Sequence, residues 1–291
     1  CDVIVAHGDD LESLKSLASQ TKVVVSTAGP FARYGSLLVQ ACVEEGAHYT
    51  DITGENHWLR GLIEKHHSEA ASKGIRIIPS CGYDSIPSDL GTFFTVSQFN
   101  KPGTRVDVYQ EAQGGVSGGT TETIFSMGGL TKKMRDPFIL NPKETVSAEQ
   151  RQKSNDGFVI GQVDGIYGWS GIGMMALANT RVVRRSAALM EKNQKSYGTN
   201  FTFGEHGLFS TKRMARLASY GSIIAFLVLA TPLKRLVRPL LPKPGEGPSQ
   251  KTQDKGWFRA TFVAYAEDNE RKMCSMYGSG DPGYKSVSYT H

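Results

Sequence analysis

Over the first 92 residues, short β-branched runs alternate with longer stretches whose apolar residues recur at helical spacing. Val3-Ile4-Val5-Ala6 predicts the end of a buried strand. Leu11, Leu14, Leu17 and Ala18 then share one face of a helix that Asp9 or Asp10 is placed to cap. Lys22–Ser26 is apolar through its middle, as a strand covered on both faces should be. Two further helices follow, Ser36–Glu45 ending on Gly46 and Trp58–Ser72 ending on Gly74. Tyr49–Ile52 and Ile75–Pro79 complete a set of strands separated by helices. That alternation predicts a parallel sheet. In such sheets ligands sit beyond the carboxyl ends of the strands, which here are Ser26–Phe31, Asp51–Glu55 and Ser80–Asp89. The three turns, near Gly29, Gly54 and Gly82, are expected along one rim.

The texture changes after Phe99. Thr104–Glu111, Phe158–Val163, Tyr197–Gly204, Trp257–Ala266 and Arg271–Tyr277 read as strands, and Thr120–Arg135 reads as a helix among them. Strands without regular helical crossovers predict a mixed or antiparallel sheet, hence an α+β second domain. Lys243–Lys255, with two prolines and two glycines, reads as a polar loop or linker. The domain expectation is residues 1–100, then 101–278, then a return segment over 279–291.

Composition adds three points. The first residue is Cys1 and it opens directly onto the apolar run, so the expectation is a chain that begins inside a strand. Cys1, Cys42, Cys81 and Cys274 are too far apart for a metal-ligand run, and a reducing, intracellular setting fits them. The net charge of +5 is uneven: Arg181–Lys243 holds 12 Lys and Arg against Glu191 and Glu205, a net of +10, leaving −5 elsewhere. Such a concentration predicts a basic face with a partner. Within it lies the apolar stretch Leu217–Leu233, between Lys212, Arg213 and Arg216 on one side and Lys234, Arg235 and Arg238 on the other. It is short for a span and contains Pro232. Two readings stand: a helix lying in a membrane or lipid-droplet surface through residues 212–238, or a core helix of the second domain. The first would put the protein on the cytoplasmic face of a membrane or droplet. No nucleic-acid partner is expected.

The chemistry-bearing residues sit at the expected rim. Ser26, Thr27, Ala28, Gly29, Pro30 and Phe31 form a turn of mainly small residues against which a flat ring or ribose can lie. Asp51 and Glu55 put two carboxylates on one loop; they orient a substrate, or they cap the helix containing Trp58. Gly82 leads into Tyr83, Asp84 and Ser85. Beside a nicotinamide, Tyr83 and Asp84 can relay a proton during hydride transfer; alternatively, Asp84 or Ser88 caps the next helix. The Gly114–Thr121 run falls after the α/β segment, so it is not read as the dinucleotide loop.

Taken together, VVVSTAGPFARYG, ACVEEGAHYTDITGE and IIPSCGYDSIPSDLG closely resemble the saccharopine-dehydrogenase-like oxidoreductase family, to which mycobacterial trans-acting enoyl reductases are related. The likeness is dense over residues 1–95 and thinner through GGVSGGTTET, RRSAAL, KPGEGPS and Gly280–Tyr284. It implies an α/β fold, with an incomplete Rossmann-type parallel sheet followed by an α+β mixed-sheet substrate domain. It also implies NAD or NADP as cofactor, Ser26–Phe31 facing it, and Gly82–Ser85 near the nicotinamide. Catalytic expectations fall on Tyr83, Asp84, Ser85 and Asp51. The family's glycine-rich phosphate loop, resembling GASGFTG, has no counterpart in these residues, so weak dinucleotide binding and an inactive fragment are expected. The expected substrate is a small molecule of lipid-like character. A saccharopine-type enzyme reducing an imine is the alternative, with Arg181, Arg184 and Arg185 as conceivable carboxylate clamps. A non-catalytic membrane-associated scaffold is another.

Overall fold

The computed structural model describes residues 2–115, 136–142, 145–154, 156–191, 197–229, 231–240 and 246–284. The helix expected over Thr120–Arg135 and most of the Gly114–Thr121 run lie outside the described residues. The chain divides into two compact units, the first ending at Gly82 and the second beginning at Tyr83.

The first unit runs α1 (Leu11–Ala18), β1 (Val23–Ser26), α2 (Phe31–Glu45), β2 (His48–Asp51), α3 (Asn56–Ser72) and β3 (Ile77–Ile78). Asp10 caps α1 by accepting from the Glu12 amide. Gly46 stops α2 at φ 85°, a left-handed conformation costly for any residue with a Cβ. The strands make a parallel sheet in the order β1-β2-β3, with Ser26 opposite Asp51 and Thr50 opposite Ile78. The three turns therefore leave the same rim, as the hydrophobic pattern predicts. Two details differ. Val3–Ala6 is not in a strand: Val3 and Val5 are exposed, because β-branching makes a strand only where a neighbour takes its hydrogen bonds. β1 alternates, burying Val24 and Ser26 while Val23 and Val25 stay half-exposed, so among the described residues it is covered on one face. Trp58 of α3 lies across α2 at Gly35, where a Cβ would stand 2.6 Å from the indole, and its Nε1 donates to Ser36.

In the second unit, α4 (Ile86–Val96) and β4 (Gly103–Gln113) are followed by α5 (Ala148–Lys153), β5 (Gln162–Val163), β6 (Ile166–Ile172) and α6 (Ala176–Glu191). Then come β7 (Tyr197–Phe209), α7 (Lys212–Leu229), α8 (Lys234–Val237), α9 (Gln250–Lys255), β8 (Trp257–Ala266) and β9 (Arg271–Ser279). Six strands form one mixed sheet, β5-β6-β7-β4-β8-β9, in which only the β4–β7 pair is parallel. Its core joins Val96, Val106, Val108, Val183, Phe203 and Phe262. Residues 83–100, expected with the first domain, belong here. At Gly91 an added Cβ would stand 2.2 Å from the Phe262 ring, so α4 seats directly on β8. Residues 250–255 of the expected linker are helical, capped by Ser249. Of the expected return segment, 280–284 stays with this unit: the Asp281 amide donates to Gln253 and its carboxylate accepts from Gly115.

The basic run divides. Arg181 and Arg184 are buried, not part of a surface, and both pair with Asp156 at 2.7 and 2.8 Å. Arg184 also stacks over Phe138. A helix that closes a core must bury one whole face, and here that face carries two arginines whose charge Asp156 offsets. By contrast, α7 is open. It touches the sheet through Ala215 and Ser219, whose hydroxyl accepts from the Ile172 amide. Leu217, Tyr220, Ile224 and Leu227, spaced three, four and three residues apart on the opposite face, are all exposed. The core-helix reading of Leu217–Leu233 does not fit this exposure. Among the described residues no helix is long and apolar enough to cross a membrane.

Candidate functional site

At the rim of the first unit, the turns are joined to one another by carboxylates. Glu55, buried, accepts from the amides of Phe31 at 2.7 Å and Ala32 at 3.1 Å. It thus caps α2, not the helix containing Trp58. Asp51, also buried, accepts from the amides of Thr53 at 3.0 Å and Ser80 at 2.9 Å and from the Tyr49 hydroxyl at 2.9 Å. The Cys81 amide donates to the Asp51 carbonyl, and the Ser80 hydroxyl donates to that of Thr53. Ser80 adopts φ 61°, unusual for a residue with a Cβ and held here by these bonds at both ends. Burial pushes the Asp51 carboxyl up, against the hydrogen bonds that favour its ionised form. Both carboxylates therefore have partners inside the fold.

The turn they hold is small and open. Thr27, Ala28 and Gly29 are exposed, between buried Ser26 and Phe31, and the Gly29–Pro30 peptide is cis. Three consecutive residues with little side chain leave a ledge of accessible backbone that fits a planar ring or a ribose. It does not fit a phosphate at the α2 start, because the Phe31 and Ala32 amides that would hold an anion already hold Glu55. Gly82 closes this unit against Ile52, 3.0 Å from where a Cβ would stand.

At the start of the second unit, Tyr83 packs edge-on against Phe258 at 4.7 Å. Burial, then the neighbouring charges of Asp84, Glu205 and Asp281, push its hydroxyl well above the ordinary tyrosine value. It stays protonated at neutral pH. Asp84 is exposed to solvent, yet the surrounding protein raises its carboxyl above the usual range; its exposure limits how far. Ser85 occupies the cap position of α4 without a capping side-chain bond, so neither capping reading of Asp84 or Ser88 is taken up. Instead the Ser85 hydroxyl donates to Asn179 Oδ1 at 2.9 Å. Asn179 Nδ2 donates to both Glu205 oxygens, at 3.1 and 2.8 Å, and Ser88 donates to Glu205 at 2.8 Å. Gln110 in turn donates to Ser88. Burial pushes Glu205 up to about 7, against these bonds and helped by Asp84. Among the described residues no cluster of His, Cys, Asp and Glu could hold a metal ion.

Glu205 and Asn179 are additions to the sequence-derived set. The signal was present: Phe201, Phe203 and Glu205 are in phase along β7, so an acid follows two aromatics on the face that must be buried. The strand as read from sequence stopped one residue short of it.

Residues 2–78 match the saccharopine dehydrogenase NADP binding domain. Trans-acting enoyl reductases from Mycobacterium leprae and Mycobacterium tuberculosis are each 32% identical to this chain. The first aligns over 98% of this chain and 73% of its own length, the second over 90% and 68%. The solved apo histidine-tagged saccharopine dehydrogenase (L-Glu forming) from Saccharomyces cerevisiae covers 97% of this chain and 77% of its own at 10% identity, with a TM-score of 0.46. That structural overlap adds no weight to the sequence matches. With these relatives the motifs over residues 22–95 have their explanation, and the chain belongs to the saccharopine dehydrogenase-like family of NAD(P) oxidoreductases.

Proposed function

We propose that this chain belongs to an NAD(P)-dependent reductase acting on a lipid-like substrate at a membrane or lipid-droplet surface, and that these residues alone bind dinucleotide weakly. The observation that carries the reading is the open ledge Thr27–Gly29, set on a rim whose other polar groups are tied inward. When bound, a reduced nicotinamide supplies hydride to one end of a polarised double bond. The chain's own residues then have two tasks. Ser26–Phe31 and Gly82 present backbone to the cofactor, and Tyr83 and Asp84 carry the proton that the other end of the double bond takes up. Asp84, exposed and raised, is the donor, while the Tyr83 hydroxyl orients. Ser85 holds the turn, and Asp51, with its oxygens engaged, is proposed to shape the rim.

For the surface, the support is α7: an apolar stripe facing away from the sheet, with exposed Arg213 and Arg216 at its start to attract anionic lipid headgroups. The imine-reducing alternative loses its support, since Arg181 and Arg184 are buried against Asp156 and Arg185 donates to the Leu140 carbonyl.

Titration with NADPH and with NADH, following nicotinamide fluorescence, tests the ledge. Ala28→Trp is expected to weaken binding at least about tenfold without changing the melting temperature, because the site is exposed. Equal binding by both proteins would remove the cofactor role from these residues and leave the scaffold reading. Flotation with vesicles containing anionic phospholipid tests the surface, with Ile224→Glu and Leu227→Glu together expected to abolish it.

A further inference from the structure

Glu205 is an expensive residue where it stands. It is 5% exposed, on the helix-covered face of the sheet, in phase with Phe201 and Phe203. An apolar side chain there would simply extend the core. Among the described residues no lysine or arginine pairs with it. Its partners are instead neutral donors, one from α6 and one from α4.

These partners lead somewhere. Asn179 uses its amide nitrogen on Glu205 and its oxygen on Ser85, so its orientation is fixed at both ends. Ser88 stands in the first turn of α4 and takes its second bond from Gln110 of β4. Glu205 thus grips both the beginning of α4 and the residue next to Asp84.

We propose that Glu205 is a positioning residue for the Tyr83–Ser85 turn, acting through Asn179 and Ser88. The proposal rests on the reductase reading for its purpose, though not for its geometry. The ionisable groups around Glu205 come from every packed element. Tyr83 lies on the turn itself and senses both acids. Asp89 on α4 is bonded to Ser186 of α6. Arg181 and Arg184 on α6 are engaged by Asp156. Asp107 of β4 and His206 of β7 lie on the opposite face of the sheet, within 3.5 Å of each other.

The experiment is a carbon-13 titration of the whole chain with labelled Asp and Glu carboxyls. The amide resonances of Tyr83, Asp84 and Ser85, followed in the same titration, are expected to move with the Glu205 carboxyl near neutrality. Amides that do not follow it overturn the positioning role. The second arm is the pH profile of NADPH oxidation with a trans-2-enoyl thioester as probe. Glu205→Gln is expected to lower kcat about tenfold, hold KM within about twofold, and flatten the profile near neutrality. A profile that keeps its shape overturns the positioning role. Should that variant fail to fold, Asn179→Ala reads the same link, with the same outcomes. Loss of activity in every variant, with the Tyr83–Ser85 amides still following Glu205, would sink the reductase reading and leave the positioning role standing.

Discussion

The rim of the first unit and the core beneath α6 in the second hold buried carboxylates by different means. In the first, Asp51 and Glu55 are held by four backbone amides, those of Thr53, Ser80, Phe31 and Ala32. In the second, Glu205 is held by the side chains of Asn179 and Ser88. Backbone amides can neither rotate away nor exchange donor for acceptor, so a carboxylate that gathers them fixes the chain path. Side-chain hydroxyls and amides can turn, and a carboxyl held by them can change protonation with its partners following. The first arrangement builds a rim, and the second permits a response.

The comparison is broken most sharply at Asp51. Asp51→Ala would strand two buried amides and the Tyr49 hydroxyl, and a loss of about 4 kcal/mol is expected in urea denaturation. A loss below about 1 kcal/mol would mean the rim is not held this way. Stability against pH should be carried by the carboxyls that folding raises, Asp51 among them. Glu205 rises to about 7 in the fold, and Asp89 to about 6. An acid raised by folding binds its proton more firmly folded than unfolded. The resulting stability is present below the ordinary carboxyl range and is lost as pH rises through the folded value. Urea midpoints are therefore expected to fall between pH 5 and pH 8, by up to about 3 kcal/mol for Glu205. Glu205→Gln should flatten that slope. Glu55→Ala is expected to cost less than Asp51→Ala, about 2 kcal/mol, because water can reach part of the α2 start once the side chain is gone.

Much of the first unit was readable from spacing and punctuation. The three strands, the helices stopped by Gly46 and near Gly74, and the shared rim all follow from β-branched runs separated by amphipathic ones. The contents of the rim were legible as residue types and not as bonds. Glu55 was placed as a helix cap, but α2 is the helix it caps, since a loop acid can reach whichever helix start the fold brings near. Val3–Ala6 shows the limit of local propensity, which cannot say whether a partner strand exists. Arg181 and Arg184 show the limit of counting charge, because burial depends on an aspartate 25 and 28 residues away in the chain. The first compact unit ends at Gly82, and α4 packs within the second through Gly91 and Phe262, a contact that sequence spacing does not encode.

The capping of α2 by Glu55 reaches into cofactor choice. An internal carboxylate already sits where a helix would otherwise reward negative charge, so the extra phosphate that distinguishes one dinucleotide from the other gains nothing from residues 31 and 32. Rewriting this helix start would dismantle a brace that joins two turns of the rim.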